Sequence, residues 1–460
     1  MEYTKGEINS VLVACYVSGF IAPLLSTMMN LSLVYIGEEF GTGSHDLAYV
    51  NSAFLLTSVI FMVPFAKLAD IIGKKKLFVI GLLIVIAGCF VACLAPNFWV
   101  VVLGRGIIGV GCASLATISI SMLTDVVPIG KRGTVMGYNT MFIYLGLSLG
   151  PAIGGALNDL IGWRLLFLIS VPLAIISILV ITHGFRKDIV VDRDGVMDTN
   201  SSIVYGAAIL LSMCGIMNLP ATWAVVSLAI GLLVLMLFIK MQLGNPHCIL
   251  NMGLFRNMVF TGSNLAAFMS YASSYSISFF LALYLQSIGN LTATEAGTLM
   301  IVQPVIQCLC SPVFGKITDK IRNKTILPTV GMAITAASIY TYTTYTLDTP
   351  LYMVMLSMTI GGIGFAMFSA PNSTIIMSSV PHEHSSEASA VLAVMRQTGM
   401  ILSMGIAMYF ISSIMGSTDN LGPDTYGLFL EVMKLSMTVC LVMCIAGAIT
   451  SAIRGMPKKF

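Results

Sequence analysis

Two charged loops carry the spacing most suggestive of a switch. In PFAKLADIIGKKK (Pro64 to Lys76), Asp70 and Lys74 stand four residues apart, which places a carboxylate and an ammonium on neighbouring turns of a helix. Gly73 lies beside them and supports a tight turn. The frame recurs as PVFGKITDKIRNK (Pro312 to Lys324), where Asp319 again follows a Lys by three residues and precedes a basic cluster. Arg105 and Arg396 sit inside otherwise apolar runs, where an ionisable group is costly and takes a partner or faces a water-filled cavity. Polar side chains embedded in other apolar runs are Ser26, Asn30, Asn51, Asn139, Gln303, Gln307, Asn372 and Gln397, with Tyr271 and Tyr275 on adjoining stripes. Such groups bind and switch. A catalytic or metal site would need His, Asp, Glu or Cys converging at one depth, and no such set is legible. The ten cysteines fall mainly in apolar runs and read as packing residues. No enzyme, cofactor or metal is therefore expected.

The elements that position these residues must cross a membrane. The chain of 460 residues is 57% hydrophobic and 9% charged, with a mean hydropathy of +0.93. A water-soluble fold would carry roughly a quarter charged residues. Apolar runs of about 20 residues, divided by clusters of charge, Pro, Gly and Asn, amount to about fourteen spans in an all-α integral membrane protein. The first is read as a span and not a removable signal peptide, having no small-residue cleavage site. An even count puts both termini on one side, and the bias of Lys and Arg makes that side the cytoplasm of a cell membrane. The net charge of +3 follows from this topology and gives no sign of nucleic acid. The repeated loop implies two pseudo-symmetric six-helix bundles, residues 1–188 and 258–460, with two further helices in 189–257. Two such bundles can rock about a midplane site, the alternating-access design of many secondary transporters.

Further motifs make the chain recognisable. LGRGIIGVG (Leu103 to Gly111), GLSLGPAIGGAL (Gly146 to Leu157) and GWRLLFLISVP (Gly162 to Pro172) follow the first charged loop, and GGIGFAMFSAPNSTIIMSSVP and ASAVLAVMRQTG occupy the second half. Together they resemble the major facilitator superfamily, specifically its fourteen-helix drug/proton antiporter branch. The resemblance implies a monomeric multidrug-efflux transporter that exchanges amphipathic small molecules for protons. It implies that Asp70, Lys74 and Asp125 latch the two halves, with Asp319 in the repeated loop, and that Arg105 takes part in coupling. Gly146, Gly150 and Gly154 recur every fourth residue, with Pro151 and Gly155 beside them. Small residues at that spacing let helices approach closely, and a proline favours a kink. In the family this face packs against the other half and is associated with antiport.

One departure bears on coupling. The branch commonly carries an Asp in the first helix, ahead of a Thr, two apolar residues and an Asn; here that position is Leu25 in LLSTMMNLSL. All acids and all five histidines fall in loops or near span ends. Three accounts stay open. A peripheral acid such as Asp70, Asp125 or Glu387 carries the proton; the substrate is an organic anion met by Arg105 or Arg396; or the chain is a uniporter or metabolite carrier using another ion. A lining so poor in negative charge suits neutral or weakly anionic amphiphiles better than lipophilic dications.

Overall fold

A computed structural model describes residues 3–42, 44–416 and 421–455, with the side chains of all of these but 30, 31, 34, 44, 45, 48, 152, 155, 156, 159, 161 and 293. Among the described residues there is no strand. The first part of the chain forms α1 (Lys5–Phe40), α2 (Ser44–Ile72), α3 (Lys74–Cys93), α4 (Phe98–Val126), α5 (Arg132–Leu166) and α6 (Ser170–Gly184). A hairpin of α7 (Thr199–Met217) and α8 (Thr222–Gln242) follows. The last part is α9 (Met258–Leu283), α10 (Ala293–Met300), α11 (Val302–Lys320), α12 (Ile326–Thr343), α13 (Leu351–Ser378), α14 (Ser385–Phe410) and α15 (Tyr426–Ile453). Among the described residues, twelve helices are long and apolar enough to cross a membrane; α5 and α12 fall outside that set.

Two local expectations are revised. The run expected as one span over 296–314 remains one candidate crossing, Thr294–Lys320, but its helix is interrupted at Ile301 between α10 and α11. Pro304 has no N–H to give the carbonyl of Met300, so the helical ladder is broken there. Pro151, expected to favour a kink, lies within α5. The non-helical residue of α5 is Gly162 (φ 76°, ψ 159°), a left-handed conformation open to glycine without strain.

The helices pack in two groups. In the first, α1 lies against α5, α6 and α4, while α4 also holds α2 and α3; in the second, α13 and α15 flank α12, and α9 lies between α14 and α15. The groups meet through α5 on α11 and through α14 on α2 and α4. Close approach at the α5–α11 contact needs glycine. A methyl group added at Gly133 would stand 2.6 Å from the carbonyl oxygen of Gly315, and one at Gly137 2.7 Å from that of Ser311. The α7–α8 hairpin sits at the seam between α2 and α14: the Tyr205 hydroxyl donates to the Val59 carbonyl at 3.1 Å, and Gly405 of α14 abuts Ile216.

Candidate functional site

The two repeated loops lie at the same end of the molecule and each reaches across to the other group of helices. In the first, the α2–α3 turn closes at Gly73 (φ 107°), where Asp188 occupies the space a side chain would fill. The Asp188 carboxylate accepts the N–H groups of Lys75 and Lys76 at 2.8 and 3.2 Å, capping the exposed amides of α3. This turn aims Lys74 inward, where it is fully buried. Its ammonium donates to Asp125 at 2.6 Å, to Ser121 at 2.8 Å and, across the interface, to Ser385 of α14 at 2.7 Å. Asp70 stands 3.9 Å from Lys74 and accepts the Ser386 hydroxyl at 2.6 Å. The second oxygen of Asp125 lies 2.9 Å from His382 Nδ1. Three charged groups expected to act together do meet, and they meet on the first turn of α14.

Asp319, near the end of α11, forms the counterpart. Its carboxylate accepts the N–H groups of Gly133 and Thr134 at 2.8 and 2.7 Å and the Thr134 hydroxyl at 2.6 Å, all on the first turn of α5. A carboxylate there satisfies amides that the helix itself leaves unpaired and sits at the positive end of its dipole. Between the two braces, Arg132 donates to the carbonyls of Met377 at 3.1 Å and Thr124 at 3.0 Å. Deeper in, Ser389 donates to the Thr117 carbonyl at 2.7 Å. The hydrogen bonds from α1–α6 to α9–α15, which include those of Ser121 with Ser385 and Ser386 at 3.0 and 3.3 Å, gather at this end. At the opposite end Trp163 bonds Glu39 and Tyr426 bonds the Ser287 carbonyl, each within one group.

The mid-helix residues divide by what holds them. Arg105 is fully buried and donates to the carbonyls of Val50 (3.3 Å) and Leu25 (3.1 Å) and to Asn51 (3.1 Å), with the Phe54 ring 4.6 Å away. Leu25, where the acid was missed, thus meets this arginine through its backbone. Arg396 is half-buried, donates to Ser373 at 2.5 Å, and lies 5.7 Å from the centre of the Tyr271 ring. Tyr271 in turn sits edge-on to Phe365, which meets Tyr144 of α5. Asn372 is a structural contact and not a lining residue: its amide donates to the Ser263 carbonyl at 3.0 Å, and its oxygen accepts from Arg454. Glu387 is occupied as well, accepting the Asn251 N–H at 2.6 Å and lying 3.0 Å from His384 Nδ1. Asn139 packs on Gly19 of α1, and Gln303 on Gly361 and Gly362 of α13. Gln307 is buried, Ser26 and Gln397 are half-buried, and Tyr275 is 39% exposed. The side chain of Asn30 and Gly155 lie outside the described residues.

The glycine face of α5 is corrected. A methyl group at Gly146 or Gly154 would stand 2.6 Å from the carbonyl oxygen of Phe20 or Met28, and Gly150 abuts Thr27. The face therefore packs on α1 of its own group. The glycines of α5 that touch the other group are Gly133 and Gly137, nearer its start. Sequence reading also passed over Arg132, Arg454 and the seryl cluster at the start of α14. The spacing Ser385/Ser389 and Thr117/Ser121 was the available signal, each pair sharing one helical face.

The sequence profile described as Major Facilitator Superfamily matches residues 15–238 and 264–457. The chain belongs to the major facilitator superfamily. It is a multi-pass membrane transporter of small molecules and not an enzyme. It is 26% identical over 406 residues to the riboflavin transporter RibZ of Clostridioides difficile (strain 630), covering 88% of this chain and 87% of that one. It is 26% identical over 372 residues to the multidrug transporter protein MdtP of Bacillus subtilis (strain 168), covering 80% and 68%. Its fold is similar to that of the proton:xylose symporter XylE, with a TM-score of 0.68 at 12% identity over 96% of this chain and 95% of that one.

Proposed function

We propose that this transporter exports amphipathic small molecules from the cytoplasm across the cell membrane by alternating access, in exchange for protons, acting as a monomer. The observation that carries this reading is the one-sided clasp: hydrogen bonds between the two helix groups gather at a single end, as a gate closed on one side requires. The moving bodies are α1–α6 within residues 1–188 and α9–α15 within 258–460. The α7–α8 hairpin within 189–257 is inserted between them, and α5 and α12 complete fourteen crossings. The clasped end is the cytoplasmic one. Tyr3 packs on Phe185 there, Arg454 reaches Ser263 near the start of α9, and the basic clusters of both loops lie there.

Coupling is assigned to the clasp. Asp70 and Asp125 are buried in it against one lysine, and adding a proton to either removes a charge that holds Lys74 in place. Glu387, on the first turn of α14, is the third candidate. Arg105 acts by fixing α1, α2 and α4 to one another, and Gly146, Gly150, Pro151 and Gly154 set the close α1–α5 contact within the moving body. Similarity to proteins named for riboflavin and multidrug transport supports a small amphipathic cargo. The test is flux in proteoliposomes of stated orientation. An imposed pH gradient is expected to drive cargo uphill, and cargo movement indifferent to that gradient would overturn proton exchange.

A further inference from the structure

Among the described residues, the charge on Arg396 has no carboxylate partner. Arg396, Tyr271, Phe365 and Tyr144 each lie 11 to 13 residues from the clasped end of their helices, about 16–20 Å along the axis at 1.5 Å per residue. They stand at one depth near mid-membrane, on α14, α9, α13 and α5. Among the described residues no carboxylate lies within ion-pair distance of Arg396. Its one hydrogen bond is to the Ser373 hydroxyl, and its Nε is buried with none. A guanidinium has five N–H donors, so most of this fork is unspent. Arg105 is the contrast, with its donors engaged by two carbonyls and an amide. Arg396 is also partly exposed at a depth where exposure to lipid would be costly, so it faces the interior between the two helix groups.

The surrounding rings set the shape of what fits. Tyr271 and Phe365 are perpendicular, with centroids 5.1 Å apart, and Tyr144 meets Phe365 at 6.2 Å with its hydroxyl buried beside Tyr271 and Ser369. The ring of Tyr271 that could hold a cationic ligand already has the Arg396 guanidinium over it at 5.7 Å. A positively charged ligand would meet a like charge with no carboxylate to offset it. A flat ring bearing an anionic group would stack among the aromatics and take the free donors of the fork as charge-assisted bonds.

We propose that Arg396, Tyr271, Phe365 and Tyr144 form a midplane subsite for a planar aromatic monoanion, which makes the cargo anionic. This rests on the transport reading above in taking the space between the two helix groups as the cargo site. An anion leaving the cytoplasm also moves in the direction an inside-negative potential favours.

The experiment compares three ligands with one ring system and different charge: 2-naphthalenesulfonate, 2-naphthalenesulfonamide and 2-naphthyltrimethylammonium. Binding is measured calorimetrically on the full chain in nanodiscs, and flux in proteoliposomes. The sulfonate is expected to bind at least tenfold more tightly than the other two. Arg396→Gln should erase that preference, and Arg396→Lys should keep part of it. A cation bound as tightly as the sulfonate by the unaltered protein, or a sulfonate preference surviving in Arg396→Gln, would overturn the subsite. Because the ligand comparison uses the unaltered protein, misfolding of a variant does not decide it. Arg396-dependent sulfonate binding with no flux would sink the transport reading alone; flux of cargo indifferent to charge and to Arg396 would sink the subsite alone.

Discussion

The two braces at the clasped end share a motif and differ in what the motif binds. Asp319 meets backbone amides and one hydroxyl at the start of α5. Asp70 meets a hydroxyl at the start of α14 and stands at the edge of a buried charge network of Lys74, Asp125 and His382. Both α5 and α14 begin after a proline and one turn of tighter helix, at Pro128 and Pro381. The scaffold is thus repeated while the electrostatics are not. A brace made on backbone amides has nothing to titrate except its own carboxylate. A brace built on a fully buried lysine balanced by two carboxylates changes its energy whenever either carboxylate changes charge. The repeated fold supplies two clasps, of which one is suited to report protonation.

The largest test of this contrast is Asp125→Asn. It leaves Lys74 buried with Asp70 at 3.9 Å as its remaining carboxylate, and breaking one partner of a buried pair costs about 3–5 kcal/mol. Since that cost falls on the closed state, spin-label distances across the clasp should show its open population raised by roughly 100-fold or more. Asp319→Asn should have a smaller effect, because hydrogen bonds to a charged group contribute about 1.5–3 kcal/mol. An opening shift equal to that of Asp125→Asn would mean the buried network adds nothing. Smallest is Lys67→Met, which removes a pair with Asp192 at 2.9 Å whose acid is 42% exposed. An exposed pair contributes about 0.2–1 kcal/mol, so a change under roughly fivefold in the same distances is expected. A large change would place Lys67 inside the clasp.

Much of this was legible from residue type and spacing. The repeated loop marked both braces, since a carboxylate with a basic cluster at the end of an apolar run has few places to sit. The isolation of Arg105 and Arg396 in apolar runs identified two mid-helix guanidinium groups, the first fully buried and the second half-buried. What spacing could not say was which arginine is satisfied. Arg105 finds the carbonyl of Leu25, and a backbone carbonyl leaves no trace in residue identity. For the same reason Asp319 could not be matched to the amides of Gly133 and Thr134. The glycine face of α5 was read correctly as a close-approach surface and assigned to the wrong neighbour. A stripe of small residues says that a helix comes near, and α1 and α11 both come near α5.

Residue types and their spacing were enough to put this chain in a membrane, to make its fold helical, and to bring its acids to loops and helix ends. These follow from hydropathy and from the cost of placing charge in lipid, which act on each segment independently of its neighbours. Packing between helices settled that the clasp is closed at one end, that Lys74 reaches Ser385 across the interface, and that Arg396 keeps most of its donors free while Arg105 does not. Those outcomes depend on which helices are adjacent, and adjacency is set by the summed packing of all of them.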